Sequence, residues 1–325
     1  MQDAGENPSN RIGQIRIGIS GWRYAGWRGK FYPSNLAQRR ELEFASREFS
    51  TIEINGTFYS LQRPESFAKW RDETPDDFVF SLKGSRYITH MLKLRNVEKP
   101  LANFFAQGLL QLGEKLGPIL WQFPPFFKFD RERFESFFRQ LPRTTRAAAK
   151  LARRHDERMD ERSFTRVKQD RPLRHCVEIR HESCAVPEFV NLLREHDVGL
   201  VVADTVEWPL LFDVTSDFVY CRLHGSEQLY VSGYEDVALE KWAATVAAWA
   251  TGGESPDGRF AHSERSGHGK PRDVYVYFDN DAKVRAPSDA KKLHELVTGL
   301  LASSKSHLET RVKPARGTAD RQAKG

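Results

Sequence analysis

A chain of 325 residues that is 39% hydrophobic and 29% charged holds enough apolar material for one large core or two ordinary ones, which places it among globular, soluble proteins. The opening MQDAGENPSNRIG has no apolar run and no later stretch supplies the ~18 apolar residues of a membrane span, so neither a secretory signal nor an anchor is expected and the default address is the cytoplasm. The net charge of +6 is peripheral: residues 303–325 contribute +4, residues 143–171 contribute +5 and residues 1–14 contribute −1, leaving −2 for the rest.

Eight short β-rich runs follow in order: IRIGIS (15–20), TIEIN (51–55), FVFSLK (78–83), PILWQF (118–123), HCVEIR (175–180), GLVVAD (199–204), FVYCRLH (218–224) and VYVYFD (274–279). Helix-period stretches separate most of them, such as PESFAKWRDE after the second, LANFFAQGLLQLGEKL after the third and VPEFVNLLREH after the fifth. Eight alternating units predict a (β/α)8 barrel with mostly parallel strands. A doubly wound open sheet is the alternative, but Gly18, Gly21, Gly26 and Gly29 do not have the GxGxxG spacing and aromatic residues fill that turn. Residues 205–217, TVEWPLLFDVTSD, show no helix pattern, and 251–273 read as a polar loop. The expected layout is a disordered arm at 1–14, one domain at 15–302 and a basic disordered tail at 303–325. Cys176, Cys184 and Cys221 are too far apart for a CxxC motif and read as reduced, buried thiols.

Residues two apart on a strand face the same side. On that parity, seven strand ends carry polar groups together: Glu53 and Asn55, Lys83, Gln122, Glu178 and Arg180, Asp204, Arg222 and His224, and Asp279. The first strand instead ends in SGWRYAGW, where Trp22, Tyr24 and Trp27 are placed to wall a pocket. Enzymes on this fold build their sites at the C-terminal mouth, so Arg222 and His224 are expected to face a wet cleft. The competing account is an ion-pair layer filling the barrel, with Glu178 matched to Arg180 or Arg222.

At these residues the chain resembles the domain of unknown function 72, or YecE-like, family. The likeness covers roughly residues 15–300 through GISGWRYAGWRGKFYP, FSTIEINGTFYSL, FVFSLKGSRYITH, LGPILWQFPP, VEIRHES, VVADT, FVYCRLHG and VYVYFDNDA followed by AP. It implies a TIM-barrel-like fold and no established reaction. The pattern carries over at Gly21, Trp22, Tyr24, Trp27, Glu53, Asn55, Phe58, Tyr59, Lys83, His90, Gln122, Glu178, Arg180 and His181, then at Asp204, Arg222, His224, Gly225, Asp279 and Asn280. Cys184 stands where the family usually has Trp, which removes one aromatic wall.

Two functions are open. The first is a hydrolase or lyase acting on an anionic, phosphorylated or sugar-containing substrate. Lys83, Arg180 and Arg222 would bind the anion, Glu53, Glu178 or Asp204 would be acid and base, and His224 is a second proton carrier. Trp22, Tyr24, Phe58 and Tyr59 would stack on a sugar or base, and Asn55, Gln122, Asp279 and Asn280 complete the substrate-contacting set. The HGSEQ turn after the seventh strand would suit phosphate. No cofactor is identifiable. A divalent metal on Glu53, Glu178, Asp204, His224 and Asp279 is disfavoured because Arg and Lys neighbours already neutralise the carboxylates. The second function is a non-catalytic nucleic-acid or nucleotide-binding module, which requires the basic residues of 143–171 to share a face with the mouth. Neither a Ser/His/Asp triad nor a phosphate loop is present.

Overall fold

Runs such as GLVVAD and PILWQF are apolar at successive positions, as strands covered on both faces must be, and in the computed structural model they belong to a parallel sheet closed on itself. The structure describes residues 12–225, 233–265, 269–280 and 284–311, with side chains as far as residue 303. Strands β1 (Ile15–Ser20), β2 (Thr51–Ile54), β3 (Val79–Lys83), β4 (Leu116–Gln122), β5 (His175–Glu178), β6 (Val198–Asp204), β7 (Phe218–Leu223) and β8 (Asp273–Phe278) follow in chain order, and β8 pairs with β1. The expected eight-stranded barrel is thus present.

Helices cover the outside. α1 (Glu41–Glu48) joins β1 to β2; α2 (Gly56–Tyr59) and α3 (Pro64–Asp72) join β2 to β3; α4 (Glu98–Ala106) joins β3 to β4. α5 (Arg131–Gln140) and α6 (Thr145–Ala152) precede β5, α7 (Pro187–Glu195) precedes β6, α8 (Asp236–Ala250) precedes β8, and α9 (Arg285–Arg311) follows it. Local chemistry sets several starts. Pro64 and Pro187 open α3 and α7, where no N–H is needed, and the Asp130 and Thr144 side chains accept from the N–H groups of Arg133 and Ala147 to cap α5 and α6. The helical period of LANFFAQGLLQLGEKL breaks at Gly108. Its φ is +116°, and a Cβ there would stand 2.4 Å from the Cα of Pro64, so only glycine lets α4 end against the start of α3.

Residues 205–217 form no helix, as their pattern implies. The 251–273 loop covers that flank instead: Asp213 accepts from the backbone N–H groups of Ala261 and His262, and Phe260 lies 6.2 Å from the Phe212 ring, which stacks on Trp242 of α8. Both expected terminal boundaries move. Gly13 donates to Ala250 O and Gln14 to Asp273, so the end of the arm is paired with the barrel. α9 continues to Arg311, past the boundary expected at residue 302, because SSKSHLETR contains no glycine or proline to stop it; residues 1–11 and 312–325 lie outside the described residues. No helix among the described residues is long and apolar enough to cross a membrane.

Candidate active site

Leu120, Cys176, Val201, Ala203, Phe218, Tyr220, Tyr275 and Tyr277 pack together inside the barrel, which fixes the inward parity of β4 to β8. On β1 that parity gives Gly18, where a Cβ would meet Thr51 O at 1.9 Å, and then Ser20. The Tyr277 hydroxyl lies 2.7 Å from Thr51 Oγ1 and 2.6 Å from Ser81 Oγ, so the wide lower interior is closed by phenol and hydroxyl groups that satisfy each other.

One step nearer the C-terminal ends lies a charged layer centred on Arg222. Its guanidinium donates to Glu178 Oε2 at 2.7 Å, Glu53 Oε1 at 3.0 Å and Asp279 Oδ2 at 2.7 Å. Glu53 also accepts from Ser20 Oγ and from the Tyr220 hydroxyl, both at 2.6 Å, and Glu178 Oε1 accepts from Arg180 Nε at 2.8 Å. His224 Nδ1 is 3.2 Å from Asp279 Oδ2, and its Nε2 is 3.4 Å from Arg222. Burial alone would raise the Glu178 carboxyl and lower the Arg222 guanidinium. The charges of Arg222 and Arg180 with the His224 hydrogen bond together outweigh burial and hold Glu178 well below the usual carboxylate range, and Glu53, Asp279 and Glu178 together hold Arg222 well above its own. Asp279 is held low in the same way by Arg222 and His224.

Arg222, His224, Glu53 and Glu178 are all 0% exposed. The expectation that Arg222 and His224 face a wet cleft is therefore corrected: they lie beneath it. Trp208, from the helix-free connection after β6, sits edge-on to His224 and carries the Arg180 guanidinium 4.0 Å above its ring, roofing this side of the layer.

The mouth proper holds a different set. Lys83 is 8% exposed, and its ammonium nitrogen lies 4.7 Å from the centroid of the Phe58 ring. Among the described residues it makes no hydrogen bond and no ion pair. Burial, then the charge of Arg222, lowers its pKa, while Glu53, Asp279 and Glu178 restore part of it; the balance is about 8. Gln122, 5% exposed on the neighbouring strand, has a buried Oε1 without a hydrogen-bond partner. Asn55 donates to Ser20 Oγ at 3.0 Å. His90 packs edge-on to Phe58, and burial followed by Arg180, Lys83 and Arg86 lowers its pKa to about 4, which leaves its ring neutral at pH 7. Asp279, with its side chain 13% exposed, belongs to both sets.

Three expected site residues lie elsewhere. Asp204 pairs in register with Leu223, one position out of phase with the inward Ala203–Arg222 pair, and it accepts from Trp242 Nε1 of α8 at 3.1 Å. Burial raises its carboxyl. Asn280, also outward, donates to Asp289 of α9 at 2.9 Å. Trp22 is buried against Trp70 of α3 and Phe80, outside the barrel, because Gly21 (φ +84°) turns the chain away from the axis. Tyr24 stacks on Trp27 and donates to Ser20 O, whereas Tyr59 stands on the rim, 64% exposed, beneath Arg86. Ser20, Tyr220 and Trp208 were not anticipated. Parity could have found the first two, two positions from Gly18 and Arg222; for Trp208 the only signal was a tryptophan in a connection without a helix.

In the HGSEQ turn, the Gly225 N–H is given to the Tyr234 hydroxyl, and residues 226–228 lie outside the described residues. Among the described residues no three His, Cys, Asp or Glu side chains are grouped to hold a metal. The basic 143–171 segment runs beside α4, and Arg166, Lys168 and Arg171 line a groove of about 1250 Å³ with Lys115 and Leu116, at the N-terminal end of β4.

Residues 16–310 match the family described as protein of unknown function DUF72. The chain belongs to this family. Among curated relatives, UPF0759 protein YecE of Escherichia coli K12 is 33% identical over 123 residues, covering 34% of this chain and 43% of that one. UPF0759 protein YunF of Bacillus subtilis is 29% identical over 123 residues, covering 36% and 43%. The chain thus spans less than half the length of the curated relatives it matches. A DUF72 family protein of Thermotoga maritima has a similar structure, with TM-score 0.66 and 23% identity, over 88% of this chain and 99% of that one. One from Enterococcus faecalis gives 0.61 and 16%, over 88% and 96%. At such identities these two likenesses bear on the DUF72 barrel alone.

Proposed function

We propose that the protein is an enzyme, a hydrolase or lyase, that binds a small anionic substrate at the C-terminal mouth with Lys83 as the principal anion-binding group. The observation that carries this reading is a lysine more than nine-tenths buried as a residue, at the end of a barrel strand, whose amine makes no hydrogen bond or ion pair to any described group. A lysine placed for stability alone would be matched to a carboxylate, as Arg222 is three times over. Arg180 at the edge of the mouth adds a second cation, Gln122 offers an unused acceptor, and neutral His90 is the group placed to accept a proton. Glu53 and Glu178, whose oxygens are all engaged, act in this reading as the counter-charge layer beneath the substrate.

The basic 143–171 residues gather along the flank and the N-terminal end of the barrel, away from Lys83, which supports a small-molecule pocket over a nucleic-acid path through the mouth. A cytoplasmic address belongs to the same reading, since Cys176, Cys184 and Cys221 are free buried thiols suited to a reducing compartment. Isothermal titration with inorganic phosphate tests the site. The native protein is expected to bind it, and Lys83→Met to bind at least tenfold more weakly. Equal binding by both proteins, or none by either, would remove the mouth as an anion site.

A further inference from the structure

We propose that Lys83 forms an imine with its substrate, so that the substrate is a carbonyl compound bearing a carboxylate or phosphate, and the reaction class is that of a lyase working through an iminium ion. This rests on the mouth being the anion site and adds what its lysine does there. Four observations converge. The amine is not committed to any carboxylate, so it is available to react. It stands against the Phe58 ring in a site that excludes most water, which favours condensation with loss of water. Three carboxylates, Glu53, Glu178 and Asp279, act on it electrostatically from the layer below, and they would stabilise the protonated, positively charged form of the imine. Arg180, ion-paired with Glu178 and 11% exposed at the same end of the barrel, adds a cation near which the substrate's anionic group would lie.

With a pKa of about 8, roughly one amine in ten is neutral and nucleophilic at pH 7. Its lone pair attacks the carbonyl carbon, forming the C–N bond as the carbonyl π pair moves to oxygen. That oxygen then leaves as water, carrying one proton from the amine and one taken from solution. Amine, carbonyl and one proton give iminium and water, with no change of oxidation state. The iminium then accepts the electron pair released when a neighbouring C–C or C–H bond breaks, with neutral His90 placed to take a proton.

Reductive trapping tests the step. The full chain is incubated with pyruvate or with dihydroxyacetone phosphate in the presence of cyanoborohydride, and the modified residue is located by peptide mass mapping. One reduced adduct at Lys83 is expected, with pyruvate if the anionic group is a carboxylate and with dihydroxyacetone phosphate if it is a phosphate. Adducts spread over surface lysines at the level seen in Lys83→Met would overturn the imine. The Lys83→Arg variant separates the two readings: it should keep phosphate binding in titration and show no adduct. If the native protein binds phosphate through Lys83 yet traps neither carbonyl there, the imine is rejected and the anion site stands. If it does neither, both fall.

Discussion

Arg222 and Lys83 lie inside the same barrel, both more than nine-tenths buried, yet their surroundings are opposite. Arg222 is matched by three carboxylates and raised above its ordinary pKa; Lys83 has no partner at bonding distance among the described residues and is lowered to about 8. The first arrangement is self-contained and holds strands β2, β5, β7 and β8 to a common centre. The second leaves a desolvated charge without a bonded counter-ion, which is stable only because the rest of the fold fixes it, and is what a site requires before its ligand arrives.

The largest effect expected from this contrast is in Arg222→Met. It strands Glu53, Glu178 and Asp279 without the cation they share, leaving only Arg180 on Glu178, and should cost at least about 3–5 kcal/mol in urea denaturation. A loss below about 1 kcal/mol would erase the distinction between the two regions. Glu178→Gln should follow at about 2–3 kcal/mol, since one neutral amide replaces the acceptor of two guanidinium groups. Unchanged stability with lost ligand binding would instead return Glu178 to proton transfer.

Acid provides a third comparison. His175 is buried on the outer side of β5, where Nδ1 accepts from Trp121 and Nε2 donates to Pro142 O; burial and then Arg143 lower its pKa to about 3. His90, at the mouth, is lowered to about 4. Each takes up its proton more readily unfolded, near pH 6.5, so neither histidine should make stability depend on pH above that value. Stability should fall by about 1.4 kcal/mol per pH unit per histidine below it. Denaturation midpoints followed from about pH 7.5 to 4.5 check this, and a slope unchanged in His90→Gln would mean that the mouth histidine is charged in the folded protein.

How far the sequence carries this picture depends on how each strand is patterned. FVYCRLH and VYVYFD alternate in polarity or size, so Arg222 and Asp279 could be assigned to the inside before any coordinates. GLVVAD is apolar on both faces and offers no alternation, so the parity of Asp204 had nothing to fix it; the register places Ala203, not Asp204, beside Arg222. Asn280 fails for a related reason, being one residue past Asp279 and so outward. Strand ends also show which residues share a face but not how deep they lie. Arg222 and His224 therefore read as cleft residues although Trp208 and Arg180 roof them. Tertiary cover of this kind comes from a connection with no period of its own.

The smallest loss of stability, and the sharpest test of the contrast, is in Lys83→Met, where none is expected. An amine with a pKa of about 8 folded and 10.5 unfolded binds fewer protons in the folded state across that interval. Wild-type stability should therefore rise as pH increases from about 8 to 10.5, and below about 8 the protein carries the full cost of burying the charge. Methionine removes that cost at the expense of the contact between the ammonium and Phe58, worth roughly 0.5–1 kcal/mol. The net change at pH 7 should be a gain rather than a loss, and the alkaline rise should vanish, both visible in denaturation midpoints taken at pH 7 and pH 9.5. Anion binding should be lost in the same variant, so that one substitution separates stability from ligand recognition. A destabilisation of Lys83→Met approaching that of Arg222→Met would place Lys83 within the charge layer, and the two regions would be one.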